Sequence, residues 1–261
     1  MEYVKNSITG EDIFYHSSKK GIIGKISPDA NDPTKFRDFG DGFYLGNKKN
    51  QTIALVNSSP NPKLYSIKIP KGVLNKENTL KLSKKDWMYF VLYNRKCLEE
   101  LKGTDFYEYY AHLADNKQYI MGPIADDTFS FCVKDFMNGN ITDYVFMQLI
   151  DRYSYGSQIV AKTQQACDNL ISVDCKELSP SDRMNALKTR KLTRTQQEQD
   201  YMEQKNRLMK ERKGLFISEI FEEVRQYTTM LPDENLSKSD NIEFESPIHE
   251  ESEGYYEPFY L

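Results

Sequence analysis

A chain of 261 residues, 39% hydrophobic and 28% charged, is long enough for one domain with a sizeable core plus an extension. It carries no apolar run near the roughly 20 residues that cross a bilayer, and its first residues, MEYVKNSITGED, show no charged-then-apolar leader. A cytoplasmic protein without a membrane partner is therefore expected. Four widely spaced cysteines with no CxxC pair argue against a disulfide framework or a zinc site and read as buried thiols, and three histidines are too few for a multi-histidine metal centre.

The first expected strand covers 13–16 and ends at His16, beside Ser17 and Ser18. The run Asp38-Phe39-Gly40-Asp41-Gly42-Phe43-Tyr44-Leu45-Gly46 follows. Three glycines in nine residues mark backbone that turns sharply or approaches something closely, and an aromatic among them offers a flat face to a planar ring. Together the two runs have the look of a dinucleotide site, with nicotinamide as the ring. Next, Asn47 is placed to cap a helix bearing Ile53, Leu55 and Val56, and 64–69 alternates like a strand. Ser83 with Asp86 resembles a capping box before a helix over 87–101, with Trp87, Phe90, Val91, Leu98 and Leu101 on one face. Further strands are expected at 119–124, 129–133, 158–162 and 170–173. Strands that outnumber helices without a regular βαβ alternation predict an α+β fold.

Charge divides the chain. From Leu231 onward nine acids face one base, residues 176–230 hold twelve bases and nine acids, and residues 1–175 are nearly neutral. The expected organisation is a core domain over 1–175, a charged helical extension over 176–230 and an acidic, flexible tail over 231–261. In the extension, Tyr201/Met202, Leu208/Met209 and Leu215/Phe216 recur every seven residues, and Ile217, Ile220, Phe221 and Val224 prolong the stripe. That seam either packs back on the core domain or grips a partner or second copy. The tail ends in GYYEPFYL, whose four aromatics suggest docking on this protein or another. If the tail covers a cleft that binds an anion, its removal should raise activity.

No GxGxxG, Walker loop, HExxH or GxSxG is present. The candidates for chemistry are His16, at a strand end, and Arg95, which follows Asn94 and offers a guanidinium fork for a pyrophosphate. Asp126 and Asp127, at a turn, can reach a ribose or deprotonate an acceptor.

Five blocks then resemble, in order, those of an uncharacterised bacterial domain family grouped with the ADP-ribosyltransferase superfamily. They are Tyr15-His16-Ser17-Ser18, the 38–46 run with Gly42 at its centre, the WMYFVLYNR run at 87–95, the YIMGPIADD run at 119–127 and the SQIVAKT run at 157–163. The resemblance spans about residues 10–175. It implies a split β-sandwich with small flanking helices, in which NAD, as co-substrate, binds between two sheets through a His, Tyr, Glu-type signature. By that likeness His16 meets the adenosine ribose and Ser17 backbone meets the nicotinamide amide. Tyr44 stacks on the nicotinamide, and Gln158 falls where related transferases often hold a glutamate on the ribose 2′-hydroxyl.

A glutamine accepts a hydrogen bond but brings no full charge, and Ser17 stands where the family favours glycine. The implied activity is mono-ADP-ribosyl transfer to a protein or nucleic acid, in a toxin or host-conflict setting. The alternatives are NAD glycohydrolysis or a catalytically weak NAD-binding module.

Overall fold

The computed structural model describes residues 13–28, 37–124, 127–153 and 156–230. Its fold is α+β. Seven strands form one mixed sheet: β1 (Ile13–Ser18), β2 (Phe43–Gly46), β3 (Lys63–Lys68), β4 (Thr79–Lys81), β5 (Tyr119–Pro123), β6 (Ser157–Ala161) and β7 (Ile171–Glu177), in the spatial order β4-β5-β6-β2-β1-β3-β7. Only β4 and β5 run parallel.

The joints of this sheet differ in strength. β1 pairs with β3 over six residues and β2 with β6 over four, whereas β1 meets β2 through the single pair Tyr15 and Gly46. The sheet thus has a seam at its centre, just where His16 and Tyr44 stand.

Eight helices complete the described fold: α1 (Lys49–Ala54), α2 (Lys84–Asn94), α3 (Asp105–His112), α4 (Asp127–Met137), α5 (Asp143–Tyr153), α6 (Gln164–Asp168), α7 (Pro180–Met209) and α8 (Ile217–Met230). The largest core lies on the face of Ile120 and Val160, where Trp87, Phe90, Phe136, Phe146 and Leu149 pack. Strand alternation sends Phe43, Leu45, Ile159 and Ala161 to the opposite face, into a second core with Phe14, Tyr65 and Tyr119. A third cluster joins Ile53 and Val56 of the α1 region to Leu64 and to Ala186 of α7.

Several expectations change. Residues 129–133, read as a strand, lie in α4, where Cys132, Val133 and Phe136 are buried together at helical spacing. The helix expected over 87–101 stops at Asn94, whose Nδ2 donates to the Phe90 carbonyl of its own helix, and Lys96 follows in the left-handed region at φ 62°. Leu98 and Leu101 reach the core through a 3-10 turn instead (Glu99–Leu101). Asn47 does not cap α1; its Oδ1 accepts the Ser157 N–H. β2, within the glycine-rich run, and β4, α3 and α5 were not anticipated. The Ser83 cap holds as expected, its side chain accepting the Asp86 N–H. Cys132 and Cys167 are buried, Cys97 is half-buried and Cys175, on the outer strand β7, is exposed.

The extension forms two helices. Ser179 and Asp182 make a reciprocal capping box with Pro180 in the first turn of α7. The apolar seam turns inward: Tyr201, Leu208, Ile217, Ile220, Phe221 and Val224 join the largest core. Asp135 of α4 fastens α7 there, accepting from Tyr201 Oη at 2.7 Å and Lys205 Nζ at 2.6 Å. The tail over 231–261 lies outside the described residues.

Candidate functional site

The glycine-rich run is a loop tied down on every side before it enters β2. Phe39 is fully buried and sits in the largest core, its ring 6.1 Å from that of Phe90. Tyr44 Oη accepts the Phe39 N–H at 3.1 Å and donates to the Gly40 carbonyl at 2.6 Å, closing the loop on itself. Lys162 Nζ, from the end of β6, donates to the Phe39 carbonyl at 3.0 Å. Arg37 Nη1 donates to the Gly42 carbonyl at 3.2 Å, with its guanidinium 5.6 Å above the Tyr44 ring.

Two glycines are required by this geometry. At Gly40, φ is 69° and a Cβ would stand 2.9 Å from Asn94 Oδ1. At Gly42, φ is 151° and a Cβ would run into the Val160 side chain and the Ala161 carbonyl. The close approach predicted for these glycines is therefore to the protein's own α2 and β6.

Beneath the loop lies a polar network. Arg95, at the C-cap of α2, donates through Nε and Nη2 to Asp38 Oδ1 at 3.0 and 2.7 Å. Gln158, 7% exposed, donates through Nε2 to the Pro123 carbonyl at 3.0 Å and faces Asp38 Oδ2 at 3.5 Å. Trp87 Nε1 donates to the same carbonyl at 3.1 Å.

Burial shifts two groups that hold the loop. It pushes the Tyr44 phenol well above its usual range, an effect the Phe39 N–H partly opposes, so the hydroxyl stays a neutral donor. Burial also pulls the Lys162 ammonium below its ordinary value, against the Asp41 charge.

His16 lies across the seam. Its ring stacks on Phe43 at 4.1 Å, on the opposite sheet face from Tyr44 and Gln158, and Nδ1 is 2.9 Å from the Tyr44 carbonyl. A carbonyl only accepts, so Nδ1 is the donor in this contact. Ser17 Oγ donates to the Thr52 carbonyl of α1 at 2.5 Å.

Of the expected site residues, the structure gathers Gly42, Tyr44, Asn94, Arg95 and Gln158 around one loop. It sets His16 and Ser17 beside them on the next strand. Arg95, expected at a pyrophosphate, forks onto Asp38. Asp126 lies outside the described residues; Asp127 opens α4 and its side chain is likewise outside them. Sequence reasoning gave no role to Asp38, Arg37 or Lys162, although Asp38 and Lys162 stand inside the quoted blocks.

The geometry defines an α+β protein whose polar site hangs on the centre of a mixed sheet. The chain belongs to the family described as Protein of unknown function (DUF3990), whose model matches residues 13–171. No curated protein and no solved structure matches it. Among the described residues no helix is long and apolar enough to cross a membrane.

Proposed function

We propose that this chain uses NAD to transfer ADP-ribose to a macromolecular acceptor, as a member of the ADP-ribosyltransferase superfamily. The observation that carries the reading is the adjacency of β6, β2 and β1. Gln158, Tyr44 and His16, far apart in sequence, stand on three neighbouring strands, and the sheet is thinnest between the last two. Parted at that seam, the single sheet would divide into β4-β5-β6-β2 and β1-β3-β7, a division the split-sandwich reading calls for.

In this reading NAD lies over the seam with nicotinamide against Tyr44. The bond from ribose C1′ to the nicotinamide nitrogen breaks, its electron pair leaves with nicotinamide, and positive charge builds on the sugar. A nucleophilic oxygen, nitrogen or sulfur of the acceptor then attacks C1′ and loses its proton to a base. The site helps by holding the leaving ring flat and by accepting a hydrogen bond from the ribose 2′-hydroxyl as that charge develops. Gln158 Oε1 is suited to this, because both amide hydrogens point at protein acceptors.

The test is labelled NAD with a cell lysate. Label on protein or nucleic acid supports transfer, and free nicotinamide alone makes water the acceptor. Binding without either product makes the chain a binding module and overturns the enzymatic reading. Gln158→Ala should lower turnover by about 100-fold. Tyr44→Phe, which keeps the flat face, should retain more NAD affinity than Tyr44→Ala.

A further inference from the structure

The neighbourhood of Gln158 assigns a task to Asp38. Across β5, β6 and β2 the register places Gly122, Gln158 and Gly46 side by side, so Gln158 has no side chain next to it on either neighbouring strand. A Cβ on Gly122 would stand 2.8 Å from the Phe39 ring and 2.9 Å from Trp87 Cδ1, and one on Gly46 would stand 3.3 Å from Thr52 Oγ1. The amide therefore occupies a slot between two glycines, walled by the 37–42 loop and α2 on one side and α1 on the other.

Its orientation follows from what faces it. The Pro123 carbonyl and the Asp38 carboxylate accept and do not donate, so both turn the NH2 end toward themselves. No described residue donates to Oε1. Asp38 is itself oriented: Arg95 Nε and Nη2 both donate to Oδ1, and Gln158 Nε2 faces Oδ2. The ion pair is sheltered, with the Asp38 side chain 13% exposed and that of Arg95 22% exposed.

We propose that Asp38 is a positioning residue, which holds Gln158 with Oε1 outward and lends that oxygen the negative charge an amide lacks. The inference rests on the transferase reading above. At 3.5 Å the contact with Nε2 is electrostatic more than a strong hydrogen bond, and the carboxylate acts by polarising the amide. As C1′ becomes cationic, the ribose 2′-hydroxyl then meets an acceptor more negative than an isolated glutamine would supply. Arg95 serves the same end by fixing Asp38 through Oδ1.

The experiment is a charge-transfer rescue in the full chain, read as nicotinamide release with KM and kcat separated. Asp38→Asn should lower kcat by about tenfold or more while KM for NAD stays within about threefold. Adding Gln158→Glu to Asp38→Asn should restore kcat by about tenfold, because the carboxylate now sits on residue 158 itself. A purely structural Asp38 would show no such rescue. Wild-type kcat in Asp38→Asn overturns the proposal, as does an unrescued loss with an unchanged melting temperature. Side-chain amide NMR supplies a readout independent of turnover: Asp38→Ala should shift and broaden the Gln158 NH2 pair, and unchanged signals overturn the positioning role. Wild-type protein that releases no nicotinamide overturns the transferase reading instead, while the amide signals still report whether Asp38 holds Gln158.

Discussion

The loop over 37–44 and the helices α7 and α8 are fastened to the same core by opposite means. The loop is held through its backbone by Tyr44 of β2 and by Lys162 just past β6, and through the Asp38 side chain by Gln158 of β6 and Arg95 at the end of α2. The helices are held by six buried apolar or aromatic residues, with Asp135 as the polar clasp between α4 and α7. An apolar seam tolerates changes that conserve volume, whereas a network of desolvated polar groups fails when one member is lost. Burying Tyr44 and Lys162 costs stability that an apolar loop would not.

The sharpest way to break the contrast is Gly42→Ala. The added methyl meets the Val160 side chain and forces a φ that alanine avoids, so the expected loss is about 3 kcal/mol or more by urea denaturation. If the loop is as rigid as its bonds imply, nothing nearby yields. A loss under about 1 kcal/mol would mean that β2 and β6 can part, and that the loop is softer than the helical seam.

The clasp on α7 is tested next. Asp135→Ala leaves the Tyr201 hydroxyl and the Lys205 ammonium without their acceptor, at an expected cost of about 1–3 kcal/mol. Burial pushes the Asp135 carboxyl up, but bonds from Lys205, Tyr201 and Asn140 outweigh it and hold the group below its ordinary 3.8. A depressed folded-state value adds stability above the unfolded pKa and loses it as pH falls through the folded one. Acid titration should thus narrow the gap between wild type and Asp135→Ala below about pH 4. A gap that stays constant with pH would make the clasp a matter of packing alone.

How legible all this was in the sequence depended on the range over which each feature is encoded. The strands at 13–16, 64–69, 119–124 and 158–162 were read within two residues, because their alternation is local. The Ser83 cap was equally local. The 129–133 run misled because five apolar-rich residues fit either period, and only Phe136 settles the helical one. The stop at Asn94 was hidden because it depends on a side chain turning back on its own helix. At the site, the motif blocks located Tyr44, Arg95 and Gln158. The partner that joins the last two, Asp38, was in view but had no role, since its bonds run to residues 57 and 120 positions away. The seam of the extension was legible as a stripe, but its inward direction was set by α4 and α5, elements the sequence reading lacked.

The smallest effect expected is the most selective, and it lies where the extension turns between its two helices. Asp143 Oδ1 accepts the N–H groups of Leu215 at 2.8 Å and Tyr144 at 2.7 Å, and so ties the α7–α8 connection to the start of α5. Burial raises its carboxyl above the ordinary value, and the bonds from Leu215 and Tyr144 offset this only in part. The sign is opposite to that of Asp135: the folded state binds the proton more tightly, so stability falls as pH rises from the unfolded value through the folded one. Asp143→Asn keeps Oδ1 as acceptor and removes the buried charge. It should therefore lie within about 1 kcal/mol of wild type, on the stabilising side at pH 7, with the difference closing as pH falls below about 4. Asp143→Ala, which strands both N–H groups, should cost about 2 kcal/mol in acid, where the wild-type carboxyl is protonated, and less as that carboxyl ionises. Were Asp143→Asn as damaging as Asp143→Ala, the charge itself would be holding the turn, and the extension would depend on polar pinning as closely as the 37–44 loop does.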